Sequence, residues 1–239
     1  MIDESKLIFF TGAPGSKWSA VSYILGHSPT IQINTSDRAE SREYSHSARF
    51  NGVRHVGSYF GPGFEFGEKF RNINTMTKDE VIEEINKPFA EEQPLNYRII
   101  RSHQFVYNLD WIKENFPTSK IIVVLRPLPG CHNGWFGAGG FDITYPTYEP
   151  YYKDEATMKQ YMFEECQIAR KWVYENDVRL CVAHRGHWDR EWNINGYNTD
   201  STIGRYIRSV DGYMPNASDP SLEVKYDVTI AYHNFGGIL

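Results

Sequence analysis

Cysteine is scarce in this chain: Cys131, Cys166 and Cys181 are the only three in 239 residues. Residues so few and so scattered exclude a disulfide framework and a zinc site built from closely spaced ligands, so no metal is expected and a reducing compartment is. Long apolar runs are missing as well. None approaches the ~20 residues of a membrane span, and with a first strand expected by Leu7 there is no room for a signal peptide. The expectation is a cytoplasmic protein with no membrane partner. Positive charge is not in excess, since 25 Lys and Arg against 30 Asp and Glu leave a net charge of -5. That balance removes the electrostatic reason to expect a nucleic acid, while leaving space for a local basic pocket and a small ligand. Repeats and low-complexity tracts are absent. A chain of this length buries roughly 70–75% of its unfolded surface in one core, and residues 1–239 are read as a single domain.

What is present is concentrated near the start. Residues 6–25, KLIFFTGAPGSKWSAVSYIL, pass from an apolar strand through a Gly/Pro/Ser/Lys turn into a helix-like segment. Leu7, Ile8, Phe9 and Phe10 form the unbroken run of a strand buried on both faces of a parallel sheet. Gly12, Pro14 and Gly15 then permit a tight turn in which successive backbone N–H groups point inward at a helix start, where anions bind. Lys17 adds a full positive charge. The P-loop pattern G-x-x-x-x-G-K-S/T is the nearest comparison, but Gly12 to Lys17 is one residue short of it, and Trp18 stands where the Mg²⁺-binding hydroxyl would follow the lysine. The alternative is a plain strand-to-helix connection with Lys17 solvated.

Further along, apolar spacing and start signals predict a helix over 77–89 with Thr77 as cap and Glu80 three residues on. They also predict a strand over 97–100, a helix over 108–115 and a central strand over Lys120–Leu125. A long helix over 154–175, a last apolar strand over 178–183 and a short helix over Thr202–Val210 follow. Residues 35–67 read as a long excursion, a candidate lid with a short strand over 53–56, and the tail to Leu239 as an edge hairpin. Strands alternating with helices imply right-handed βαβ units, and hence an α/β fold of three αβα layers around a central parallel sheet.

Two strand ends carry chemistry. In an open parallel sheet, ligands sit outside the carboxyl ends of the strands. Arg101-Ser102-His103 ends one strand there, and a histidine that is neutral part of the time near pH 7 suits a general base, or else caps the strand by hydrogen bonding. Arg126-Pro127 ends another. An arginine offers a planar fork to a phosphate, and is equally suited to pairing a structural carboxylate. Aromatics make up 15% of the chain, and their density over 136–152 matches no periodicity, which suits either an acceptor pocket for sugars or an aromatic loop packed on the core.

In this order the pieces resemble the sulfotransferases that use 3′-phosphoadenosine 5′-phosphosulfate (PAPS). Thr11 to Ser19, TGAPGSKWS, is similar to that family's T-Y-P-K-S-G-T-T-W turn, and RIIRSHQFVYNLDWIKENFPTSKIIVVLRP follows its order of histidine-bearing strand end, helix and arginine-bearing strand. The likeness covers residues 6–134. It implies a P-loop-like sulfotransferase architecture, His103 as catalytic base and Lys17 as the charge at the sulfuryl group. It also implies a nucleotide site formed by Gly12, Ala13, Pro14, Gly15, Ser16, Lys17, Trp18 and Ser19, with Arg126 on the 3′-phosphate. The family lysine falls on Pro14, and the serine eight residues after the arginine is Gly134, so Asn133 or His132 is the substitute ligand. PAPS would be the cosubstrate, adenosine 3′,5′-bisphosphate the product, and a small-molecule or carbohydrate hydroxyl the acceptor. A P-loop kinase and a noncatalytic nucleotide-binding module stay open as alternatives.

Overall fold

The computed structural model describes residues 3–31, 58–60, 70–89, 96–143, 148–183, 185–194, 201–210 and 228–235. The expected lid lies outside them except at 58–60, as does the expected strand over 53–56. Six strands form one open sheet: β1 (Leu7–Gly12), β2 (Ser58–Tyr59), β3 (Arg98–Arg101), β4 (Lys120–Leu125), β5 (Arg179–Val182) and β6 (Thr229–His233), in the order β2-β3-β1-β4-β6-β5. β1 is flanked in parallel by β3 and β4, with Phe10 opposite Arg101 on one side and Gly12 opposite Val124 on the other. The chain therefore leaves β1 in one direction and returns on its far side, so the carboxyl end of β1 is the topological switch point, the place where open α/β sheets bind ligands.

Alternation along the strands divides the core. Ile8, Phe10, Ile99, Ile122, Val124, Ile230 and Tyr232 pack on one face beneath α1 (Trp18–Leu25), with Trp188 and Trp192 and the helix that holds Tyr206, Ile207 and Val210. Leu7, Phe9, Ile100, Ile121, Val123 and Ala231 pack on the other beneath α2 (Lys78–Asn86), α3 (Leu109–Asn115) and the long helix that holds Trp172. The fold is mixed α/β with helices on both faces, as alternating side-chain direction in a strand requires. Thr77 and Glu80 close the capping box expected for α2, each side chain bonded to the other's backbone.

The sheet is not wholly parallel. β6 runs antiparallel to both β4 and β5. The expected edge hairpin is instead a strand inside the sheet, where Ile230, Ala231 and Tyr232 bury both of its faces. β5 is displaced to the edge, and Leu180 and Val182 are exposed there.

Four more helices complete the site's surroundings: α4 (Leu128–Gly137), α5 (Glu149–Tyr152), α6 (Glu155–Glu175) and α7 (Arg185–Glu191), followed by α8 (Thr202–Val210). Asp154 caps α6 by accepting the Thr157 N–H at 2.7 Å. Cys131 on α4 and Cys166 on α6, distant in sequence, are free thiols in sulfur–sulfur contact at 4.0 Å. Among the described residues no helix is long and apolar enough to cross a membrane, and no three His, Cys, Asp or Glu gather as metal ligands.

Candidate active site

The turn after β1 is built from its glycines and proline. Ser16 N–H donates to Ala13 C=O at 3.0 Å, and Gly15 adopts φ +74°, so Ala13-Pro14-Gly15-Ser16 has the signature of a type II turn with Pro and Gly in their favoured places. A Cβ at Gly15 would lie 1.8 Å from the Cys131 carbonyl oxygen, so only glycine lets the turn seat on α4. Lys17 follows at φ 72°, a left-handed residue standing at the N-cap of α1 without capping it through its side chain. A non-glycine residue held in that conformation is strained, and such strain collects at functional positions.

Ser16 is fully buried, and its hydroxyl has no hydrogen-bond partner. That hydroxyl lies 2.7 Å from where a Gly12 Cβ would stand, so it packs against the end of β1. A buried, unsatisfied hydroxyl in such a place calls for a ligand or a water.

His103 closes one side. Its Nδ1 lies 2.5 Å from the Gly12 carbonyl oxygen, which can only accept, so Nδ1 carries the proton and Nε2 is the basic nitrogen. The ring is 2% exposed and lies against Trp18, with ring centroids 4.1 Å apart and planes tilted by 42°. Burial, together with the charge of Arg101 and against the Gly12 bond, pulls the His103 pKa down to about 4. The imidazole is thus neutral throughout the physiological range rather than for part of the time. The bond from Nδ1 to the Gly12 carbonyl is the strand-end cap expected as the alternative to a general base.

Arg126 closes the other side. Its Nη1 donates to Gly15 C=O at 3.0 Å and to Gly130 C=O at 2.6 Å, backbone carbonyls of the turn and of α4. Asn133 is exposed on α4. Gly134 cannot be the family's serine for a geometric reason: a Cβ there would lie 2.5 Å from the Gly15 oxygen and 2.6 Å from Arg126 Nη1. His132 is 3.5 Å from Glu155. Sequence reading missed Arg170, which reaches from α6 to donate to the Arg126 carbonyl at 3.4 Å and brings a second guanidinium to this corner. Only the long-range packing of α6 on α4 brings it there.

The aromatic stretch packs largely on itself. Trp135 meets Phe141, Tyr148 and Tyr152 edge to face, and Tyr148 and Tyr152 are buried. Residues 144–147 of that stretch lie outside the described set. A cavity of about 340 Å³ between α3 and α6 is lined by Tyr107, Trp111 and Lys171 and by no residue of the turn. No family model matches the chain, and neither a curated protein nor a solved structure does.

Proposed function

We propose that the chain is a PAPS-dependent sulfotransferase that moves a sulfuryl group to the hydroxyl of a small-molecule or carbohydrate acceptor. The observation that carries this reading is the buried, unpartnered Ser16 hydroxyl in a turn that also bears Lys17 and faces a neutral His103. These groups fit a phosphosulfate. Gly12, Ala13, Gly15, Ser16, Lys17 and Ser19 would hold its 5′ end, with Trp18 as a wall and Arg126 and Arg170 as cations for the remaining phosphate. PAPS would supply the sulfuryl group. The acceptor's O–H proton would pass to Nε2 of His103 as the acceptor oxygen bonds to sulfur and the bond from sulfur to the oxygen of the 5′-phosphate breaks, its electron pair leaving on adenosine 3′,5′-bisphosphate, where Lys17 would offset the developing charge.

Bound anion also corrects the base. Negative charge beside His103 favours its protonated form, so the nucleotide raises the pKa toward the range in which a histidine accepts protons effectively. A kinase is the second reading. The indole of Trp18 in place of a Mg²⁺-binding hydroxyl, and Arg126 where an acidic metal partner would follow a central strand, count against it. A noncatalytic module is favoured by one observation, the engagement of Arg126 with two carbonyls.

Calorimetry with adenosine 3′,5′-bisphosphate and ATP, each with and without Mg²⁺, tests the reading. The bisphosphate is expected to bind more tightly, and without metal. Preferential binding of Mg-ATP overturns the proposal in favour of a kinase, and bisphosphate binding with no transfer from PAPS to any hydroxyl acceptor favours the noncatalytic module.

A further inference from the structure

Two thiols stand outside the chemistry described so far. Cys131 on α4 and Cys166 on α6 lie 35 residues apart in the chain, and their sulfurs meet at 4.0 Å. The third cysteine, Cys181 on β5, packs against a different apolar cluster. A disulfide holds its sulfurs about 2.05 Å apart, so closing this pair asks for roughly 2 Å of travel, shared by two side chains that each turn about a single bond.

The two sulfurs are not equivalent. Cys131 is fully buried, whereas Cys166 keeps 7% of its surface exposed. Cys166 also has a cation on its own helix: Arg170 stands four residues on, on the same face of α6, and donates to the Arg126 carbonyl at 3.4 Å. The Cys131 S–H reaches that same carbonyl at 3.6 Å, or turns to the Cys166 sulfur. The hydrogen bond from Cys131 and the charge of Arg170 lower the Cys166 pKa against the cost of burial. Cys166 is therefore the thiolate of the pair and Cys131 the thiol that answers it. A cysteine of lowered pKa with a second cysteine in reach is the arrangement of redox-responsive thiols. Hydrogen peroxide, little larger than water, needs no ligand-sized opening, and it meets the pair from the Cys166 side.

Cys131 also supports the anion turn. Gly15 lies so close to its carbonyl that a Cβ would stand 1.8 Å from that oxygen, and Ala13 of the turn shares one apolar cluster with both cysteines. A displacement of Cys131 is thus passed to the turn.

We propose that Cys131 and Cys166 form a reversible disulfide under hydrogen peroxide, and that this bond alters the seating of the turn on α4 and so controls anion binding there. The Cys166 thiolate attacks one peroxide oxygen; an S–O bond forms, the O–O bond breaks, and the other oxygen leaves as hydroxide, which takes a proton from solvent to become water. The Cys131 sulfur then attacks the sulfenic sulfur; the S–S bond forms, the S–O bond breaks, and the hydroxyl leaves with the Cys131 proton as a second water. Two thiols give up two electrons, and one peroxide is reduced to two waters. A small dithiol reverses the bond by exchange. The disulfide stands on the geometry of the pair; that the anion is a PAPS-type nucleotide rests on the transferase reading.

Peptide mapping of the folded full chain carrying Cys181→Ser, treated with hydrogen peroxide and alkylated before non-reducing digestion, tests the bond. A joined pair of peptides bearing Cys131 and Cys166 is expected, and dithiothreitol should restore both as alkylatable thiols. In Cys131→Ala the Cys166 sulfenic acid should persist and be trapped by dimedone, while in Cys166→Ala the Cys131 thiol should stay reduced. Calorimetry should show adenosine 3′,5′-bisphosphate binding weaker by about fivefold or more in the cross-linked chain, with the original affinity regained after dithiothreitol. Peroxide treatment that yields no joined peptides overturns the proposal, as does unaltered bisphosphate affinity in the cross-linked chain. Joined peptides in a chain that binds no bisphosphate in either form sink the transferase reading and leave the disulfide standing; inorganic sulfate then probes the turn, and equal sulfate affinity in the two forms overturns its control by the bond.

Discussion

His103 links burial to pH. Its pKa is about 4 when folded against 6.5 for an unperturbed histidine, so between those values the unfolded chain binds a proton that the native chain refuses. Stability is therefore lost as pH falls from about 6.5 to about 4 and carries no His103 dependence above that window. Urea unfolding of His103→Asn across it should show a slope against pH shallower by up to about 1.4 kcal/mol per unit, the value of one proton; an unchanged slope would mean that the imidazole titrates normally. Transfer from PAPS should fall by about 10²- to 10⁴-fold in the same variant with nucleotide affinity kept. Lys17 sets stability against binding in another way. Because a left-handed φ suits glycine, Lys17→Gly should leave the apo chain at least as stable in thermal melts while bisphosphate affinity drops by about 1–3 kcal/mol. A clear loss of apo stability would make the lysine structural.

At the scale of elements, the contact of the turn with α4 decides whether a site exists at all. Gly15→Ala puts a methyl group 1.8 Å from the Cys131 carbonyl at a positive φ, whereas a Cβ at Gly137 on the same helix meets nothing within 4 Å. The first change should cost about 2–4 kcal/mol in denaturant titration and abolish nucleotide binding; the second should be neutral or stabilising by up to about 1 kcal/mol. Equal effects would refute the seating of the turn on α4. Elements with strong local signals were legible in sequence: the β-branched run of β4, the Thr77–Glu80 box and the long helical pattern over 154–175. α4 was not. Leu128–Gly137 holds a proline and three glycines, poor helix formers by propensity, and its helix follows from packing against the turn and α6. The carbonyl partners of Arg126 were hidden for the same reason, since a sequence lists side chains and those acceptors are backbone.

For the molecule as a whole, the α/β pattern was readable because the apolar runs of β1 and β4 admit only burial on both faces. The antiparallel course of β6 was not, since a five-residue strand carries no mark of its direction. One result is an edge that pairs on a single side, with Leu180 55% exposed and Val182 41% exposed on β5. Such an edge invites pairing between molecules. Leu180→Lys should leave the melting temperature nearly unchanged and slow concentration-dependent aggregation followed by light scattering; aggregation at the wild-type rate would place the sticky surface elsewhere.

The bond from His103 to the Gly12 carbonyl also governs proton traffic. A carbonyl oxygen is no base near neutral pH, so under the proposed chemistry a proton captured at Nε2 has no relay out through Nδ1. It must leave by the face through which it arrived. With the ring shut away from solvent, that exit opens only when product departs and water enters, so each turnover has to end in a breath of the site that resets its base. The imidazole is a store for one proton, and its emptying is tied to the release of what it helped to make.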